Sequence, residues 1–186
     1  MLRTGGIIAV KQIEMEETDS KKARKAYNSV REEVRILRGL DHMDTVQFMG
    51  TMLVGSVVNI FMELISGGSI ETLLKTFGPF EEELFQNYTR QIIEGIKYIH
   101  SKNVVHRDIK GKNVMLMANG VIKLIDFGCA RQLNQQGSNS IEELLMSAKG
   151  TPYWMSPEVI RQVGHGSKAD IWSSGCTVYE MVIRRV

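Results

Sequence analysis

Three side chains in the second half of the chain have the types and spacing to bind a hard cation and move a proton. Asp108 lies five positions before Asn113 and 18 before Asp126. Two short apolar runs, Val114 to Met117 and Val121 to Ile125, separate Asn113 from Asp126, with Asn119-Gly120 between them. An Asn-Gly pair between two such runs predicts a hairpin, which returns Asp126 close to Asn113. Two oxygen donors at one strand end suit Mg2+, which takes a few protein ligands plus phosphate oxygens. Lys110, two residues after Asp108, adds a cation. A base, metal ligands and phosphate-holding cations are the groups that phosphoryl transfer demands. His106-Arg107-Asp108 alone would read as ordinary polar loop residues. The joint spacing with Lys110, Asn113 and Asp126 argues for the chemical reading.

His106-Arg107-Asp108-Ile109-Lys110-Gly111-Lys112-Asn113 and Asp126-Phe127-Gly128 resemble the catalytic-loop and metal motifs of eukaryotic protein kinases. The resemblance implies that Asp108 accepts the substrate hydroxyl proton and Lys110 steadies the transferring phosphoryl group. It also implies that Asn113 and Asp126 hold Mg2+. Ile8-Ala9-Val10-Lys11 resembles the strand whose lysine grips the α and β phosphates of ATP. Helix geometry finds the partner of that lysine. Glu33 sits three residues after Val30 and four before Leu37, on the core-facing stripe. A carboxylate there needs a cation, and Lys11 is the candidate; a glutamate at the rim of an amphipathic helix is the plainer reading. Glu32, about 100° further round, is expected to face water.

The resemblance extends to two more segments. Ile60-Phe61-Met62-Glu63-Leu64-Ile65-Ser66-Gly67-Gly68-Ser69 is similar to the family hinge. That implies Met62 as gatekeeper, the Glu63 carbonyl and Ile65 amide on the adenine edge, and Ala9 and Met115 about the ring. As plain chemistry these are core residues at a strand end. Gly150-Thr151-Pro152-Tyr153-Trp154-Met155-Ser156-Pro157-Glu158 resembles the end of an activation segment, with Ser156 where alanine is usual. Thr151 is then implied to bond Asp108 and Lys110. Ser147, otherwise a plain loop serine, stands where related kinases are phosphorylated, and Arg107 would dock that phosphate. Asp170 matches the helix residue that braces the catalytic loop. Lys110 marks serine/threonine rather than tyrosine kinases. The whole set most resembles the STE group and, within it, the MAP kinase kinase kinases, which implies ATP and Mg2+ as cofactors and MAP kinase kinases as protein substrates.

These residues need elements to position them. Ile7 to Ile13 reads as a strand, and Ser20 to Leu40 as a helix capped by Ser20, with Val30, Val34, Leu37 and Leu40 at helical spacing. Its Lys21 to Lys25 cluster reads as a solvated helix start. Val46 to Leu53 and Val57 to Leu64 read as strands about a Gly55-Ser56 turn. Ser66-Gly67-Gly68-Ser69 marks a lobe boundary, followed by a short helix to Thr76 and a long one from Pro79 to Ser101. Tyr88, Ile92, Ile96 and Ile99 form its apolar stripe. Gln132 to Ser140 reads as mobile, and Ala169 to Arg184 as a mostly apolar helix. The expected fold is α+β and two-lobed, kinase-like: a small β-rich N-lobe over residues 1–65 and a mainly helical C-lobe over 66–186.

The family pattern is longer than the chain at both ends. The Gly-x-Gly-x-x-Gly phosphate cover is expected before Lys11, and Gly5-Gly6 is no substitute. The terminal helices, with the arginine partner of Glu158, are expected after Val186. Ile171, Trp172, Val178 and Met181 would be central in a complete lobe, and their exposure is expected here. A chain lacking these parts is expected to have little phosphotransfer activity alone. The alternative function is a catalytically impaired interaction or decoy module.

Bulk composition narrows the classes further. The chain has 186 residues, 43% of them apolar and 24% charged, with a net charge of +2. That is an ordinary globular balance without the charge excess of a nucleic-acid binder. Cys129 and Cys176 offer neither a metal spacing nor a disulfide framework. No apolar run approaches the ~20 residues that span a bilayer. A reduced, cytoplasmic location is expected.

Overall fold

The computed structural model describes residues 5–15, 21–133, 150–162 and 166–183. Strand β1, Ile8–Glu14, pairs antiparallel with β3, Val57–Glu63, which pairs antiparallel with β2, Phe48–Val54, giving the order β1-β3-β2. The register sets Lys11 opposite Ile60 and Ala9 opposite Met62. Ile7, read as strand, lies outside β1 and is exposed. Helix α1, Lys21–Arg38, buries Ile36 and Leu37, with Leu40 just beyond it in the same core. Arg35 and Arg38 in its last turn suit the negative end of the helix dipole. The Ser20 cap lies outside the described residues.

Helices dominate the rest. Helix α2, Ile70–Phe77, starts where Ser69 Oγ accepts the Thr72 N–H at 3.1 Å. Helix α3, Glu82–Ser101, buries the expected Tyr88, Ile92, Ile96 and Ile99. It begins at Glu82 rather than Pro79, because the Phe80 N–H donates to the Met181 carbonyl at 2.9 Å and holds the preceding chain out of the helix. Helix α4 is Pro157–Ile160, and helix α5 is Lys168–Ile183. Among the described residues no helix is long and apolar enough to cross a membrane.

Between α3 and α4 come short pairings. Strands β5, Val114–Leu116, and β6, Ile122–Leu124, form the expected hairpin. The two-residue strands β4, Val104–Val105, and β7, Arg131–Gln132, also pair, so Gln132 belongs to a ladder rather than to a mobile stretch. Residues 134–140 lie outside the described set.

The two halves share one core. Ile92, Ile96 and Ile99 pack with Ile109, Val114, Ile122, Leu124 and Phe127, all essentially without solvent exposure. Val46 donates to the Leu124 carbonyl at 3.0 Å, and Leu124 donates to Asp44 at 2.9 Å, tying the segment after α1 to the hairpin. Gly67 donates to the Leu116 carbonyl at 2.8 Å, so closely that a Cβ at Gly67 would collide with that oxygen. The glycine there is required by the approach of hinge to hairpin.

Helix α5 has the mostly apolar composition expected of it, but the residues it buries are of a different kind. Its buried face is largely polar: Asp170, Ser173, Ser174, Thr177 and Glu180, with Ala169 and Met181. The hydroxyls of Ser173, Ser174 and Thr177 donate to carbonyls four residues earlier in the helix. Of the four residues read as central, Met181 is fully buried and Val178 packs at the core edge, while Ile171 and Trp172 are half exposed.

Candidate active site

Asp170 shapes the site from below. Its carboxylate, fully buried, accepts the backbone N–H of His106 at 2.9 Å and of Arg107 at 2.8 Å, and also contacts His100 Nε2 at 2.8 Å. Arg107 is thereby held at φ 68°, a left-handed conformation that costs a non-glycine residue about 1–3 kcal/mol. His106 is buried with it, Nε2 donating to the Ile125 carbonyl at 3.0 Å and Nδ1 accepting from Asp108 N at 3.3 Å. The bend leaves the Asp108 carboxylate beside Lys110, Asn113 and Thr151.

Around Asp108 the structure brings together three residues named from sequence. Lys110 Nζ donates to its Oδ2 at 2.8 Å, and Asn113 Nδ2 donates to Oδ2 and to the main-chain carbonyl, both at 2.9 Å. Thr151 Oγ1 donates to Oδ1 at 2.9 Å and accepts from Lys110 Nζ. The bonds that the resemblance implied for Thr151 are therefore present.

A second charged cluster stands at the inner end of the cleft. Lys11 Nζ donates to Glu33 Oε1 at 2.8 Å and to Asp126 Oδ1 at 2.9 Å. Burial alone would lower the Lys11 pKa, but the two carboxylates outweigh it and hold it raised. Burial alone would raise that of Asp126, but Lys11 outweighs it and holds the carboxyl below its usual range. Asp126 itself sits at φ 58°, which places Phe127 fully buried against the His106 ring, 4.8 Å between centroids. Glu33 is 5% exposed, as the helix-face argument required. Glu32 departs from expectation. It takes a bidentate bond from Arg35 at 2.8 and 2.9 Å, and it is partly buried toward Arg131 and Gln132 rather than facing open water.

Above the cluster lies a cleft of about 330 Å³ with a mainly apolar lining. Ala9, Met62, Glu63, Ile65 and Met115 all line it, as do Lys11, Glu33 and Asp126. Its volume is at the lower end for small-molecule sites. The Glu63 carboxylate points elsewhere, to Lys123 at 2.9 Å and the Gln47 N–H at 2.7 Å, leaving its main chain at the cleft. An adenine nucleotide fits this arrangement: an apolar slot for a ring, and Lys11 at the end where phosphates would lie. Among the described residues no cluster of three histidine, cysteine or acidic side chains could hold a metal. Mg2+ needs fewer protein ligands, and the Asn113 amide oxygen with the Asp126 carboxylate would be the donors for it.

Arg107 donates through Nε to the Cys129 carbonyl at 2.6 Å. Burial, and then neighbouring Arg131, push its pKa down to about 10, so it remains a cation at neutral pH. Ser147 lies outside the described residues. Sequence reasoning missed Glu180, His100 and the β4–β7 pairing. For Glu180 a signal existed, since Asp170, Ser173, Thr177 and Glu180 recur at helical spacing.

The whole chain, residues 1–186, matches the protein kinase domain family. It is 52% identical over 178 residues to mitogen-activated protein kinase kinase kinase 19 of Homo sapiens, covering 95% of this chain and 13% of that protein. It is 43% identical over 183 residues to mitogen-activated protein kinase kinase kinase ANP1 of Arabidopsis thaliana, covering 97% and 27%. Against serine/threonine-protein kinase STE11 of Saccharomyces cerevisiae it is 42% identical over 158 residues, covering 85% and 22%. The chain thus spans well under a third of each of these relatives. With a small antiparallel sheet, a helical second half and the motif residues Lys11, Glu33, Asp126 and Phe127 lining one cleft, the chain belongs to the protein kinase domain family, in its STE group.

Proposed function

We propose that this domain is an ATP-dependent serine/threonine protein kinase that phosphorylates MAP kinase kinases in the cytoplasm. The observation that carries the reading is the Asp108 carboxylate, held by Lys110, Asn113 and Thr151, with the Asn113 main-chain carbonyl bonded to the Ile125 N–H next to the Asp126 that pairs with Lys11 in the cleft. Asp108 accepts the proton of the substrate hydroxyl as its oxygen bonds to the γ-phosphorus and the bond to ADP breaks. Lys110 stands beside it to offset negative charge on the transferring group. Lys11, steadied by Glu33, takes the α and β phosphates, and Glu63, Ile65, Ala9, Met62 and Met115 form the adenine slot. Mg2+ bound by Asn113 and Asp126 would neutralise the charge of the phosphate oxygens. Thr151 locks Asp108 and Lys110 into one geometry, and orientation is most of what a kinase contributes. A phosphate on Ser147 would dock on Arg107 and tie the activation segment to the catalytic loop. The charged set needed for catalysis is present, which favours the enzyme over a decoy. The substrate assignment rests on the likeness to MAP kinase kinase kinases.

The test compares the parent with Asp108→Asn on a recombinant MAP kinase kinase. The parent transfers phosphate, and the variant loses about 10²–10⁴-fold in turnover while Mg-ATP still raises its melting temperature. A parent that neither transfers phosphate nor gains stability from Mg-ATP overturns the proposal.

A further inference from the structure

Glu180 is a buried acid to which the kinase reading gives no role. It lies in the last turn of α5 and is 6% exposed, and its Oε2 accepts the Gly111 N–H at 2.9 Å inside the fold. The charged groups that reach it, Glu71 and Lys75 of α2, pair with each other at 3.1 Å. Burial accordingly keeps its pKa above the ordinary value, with the Gly111 bond pulling the other way. Among the described residues no cation pairs with Glu180, and a carboxylate buried in that way is costly, so its retention calls for a compensating contact.

Gly111 is that contact, and the fit is reciprocal. A Cβ on Gly111 would fall 2.5–2.7 Å from the Glu180 carboxylate, so the acid fills the space where a side chain would be. Gly111 opens the 3-10 turn Gly111–Asn113. Lys110 precedes it in extended backbone, and the Asn113 N–H closes on the Lys110 carbonyl at 2.9 Å. Pinning Gly111 therefore fixes the chain between Lys110 and Asn113, the two loop residues that bond the Asp108 carboxylate. On its other side Glu180 faces the buried N–H of the partly exposed Trp154 indole, which has no partner at normal hydrogen-bond geometry among the described residues. Trp154 ends the turn that follows Thr151.

Asp170 and Glu180 share the buried face of α5, ten residues or about 15 Å apart. Asp170 holds the start of the catalytic loop at His106 and Arg107, and Glu180 holds its end at Gly111. We infer that Glu180 is a positioning residue for phosphoryl transfer: it clamps the end of the catalytic loop through the Gly111 N–H and sets Lys110 and Asn113 about Asp108. The inference rests on the kinase reading above.

The test uses the full chain with Glu180→Gln, Glu180→Ala, Gly111→Ala and the double Gly111→Ala, Glu180→Ala. The readouts are kcat, the KM for Mg-ATP, and exchange of the Gly111 amide. Glu180→Ala is expected to speed Gly111 exchange and lower kcat about tenfold or more, while the KM moves less than about twofold. Glu180→Gln, which keeps an acceptor oxygen, restores most of both. The double variant is no worse than the poorer single one, because removing the carboxylate makes room for the Cβ. The clamp is overturned if Glu180→Ala leaves kcat within about twofold, if Glu180→Gln is as damaging as alanine, or if the two single losses multiply. A parent without phosphotransfer would sink the kinase reading instead. Gly111 exchange in the four variants would still decide the clamp: unchanged protection on losing the carboxylate refutes it.

Discussion

Replacing Asp170 removes the acceptor on which the shape of the catalytic loop depends. In Asp170→Ala the His106 and Arg107 N–H groups, now bonded at 2.9 and 2.8 Å to a fully buried carboxylate, lose their partner. Each orphaned buried donor costs about 1–3 kcal/mol, so the pair costs about 2–6 kcal/mol. That is a large part of the ~5–15 kcal/mol that holds a typical domain folded. Asp170→Asn keeps one acceptor oxygen but turns an NH2 toward the other donor, so about half the loss is expected. The Arg107 backbone, strained at φ 68°, has less to hold it there in either variant. Urea unfolding followed by circular dichroism gives the global change, and exchange of the His106 and Arg107 amides gives the local one. Alanine is expected to lower the midpoint most and to expose both amides, asparagine to do so by about half. If both variants unfold within about 0.5 kcal/mol of the parent with both amides still protected, the reasoning fails.

Two further perturbations test the charges. Lys11→Met leaves Glu33, 5% exposed, without its cation, whereas Glu33→Gln keeps a hydrogen bond to a lysine whose own side chain is about a third exposed. With that screening the methionine variant is expected to lose about 1–3 kcal/mol in urea unfolding and the glutamine variant less, with the same order in Mg-ATP-dependent turnover. The reverse order would refute the pairing. Because the Lys11 pKa is raised, the stability from this contact is present through neutral pH and is lost only as pH rises past the elevated value above 10.5. Asp44 shows the opposite case, since burial raises its pKa while His42 partly offsets the effect. The folded chain then holds that proton more tightly than the unfolded chain, and stability falls as pH climbs from 3.8 through the raised value. The melting temperature of Asp44→Asn relative to the parent should therefore be more favourable at pH 7 than at pH 3.5. An equal difference at the two pH values would show that Asp44 carries no such penalty.

What could be read from sequence divides along a physical line. Asp108, Lys110 and Asn113 lie within six residues of one another, and the short β5–β6 hairpin returns Asp126, so local geometry alone nearly assembles the candidate metal and base groups. Lys11 and Glu33 are farther apart, yet helix periodicity placed the glutamate on the inward face, where only a cation satisfies it. Periodicity failed where an element is too short to show any. Strands β4 and β7 have two residues each, and their pairing is invisible before the chain between them is folded. It also failed where burial and polarity part company. Glu32 was assigned to water by its angle on α1, but that angle says nothing of Arg131 and Gln132 packing in from a later segment. On α5 a polar stripe ordinarily marks the solvent side, so Asp170 was found only by resemblance and Glu180 not at all. The stripe is buried because the catalytic loop, rather than water, supplies its donors: His106 and Arg107 at one end and Gly111 at the other. A loop bent into strained backbone cannot satisfy its own N–H groups, and a helix that presents carboxylates to it is one solution. Buried polar periodicity beside a motif-bearing loop is therefore a signal of scaffold in its own right.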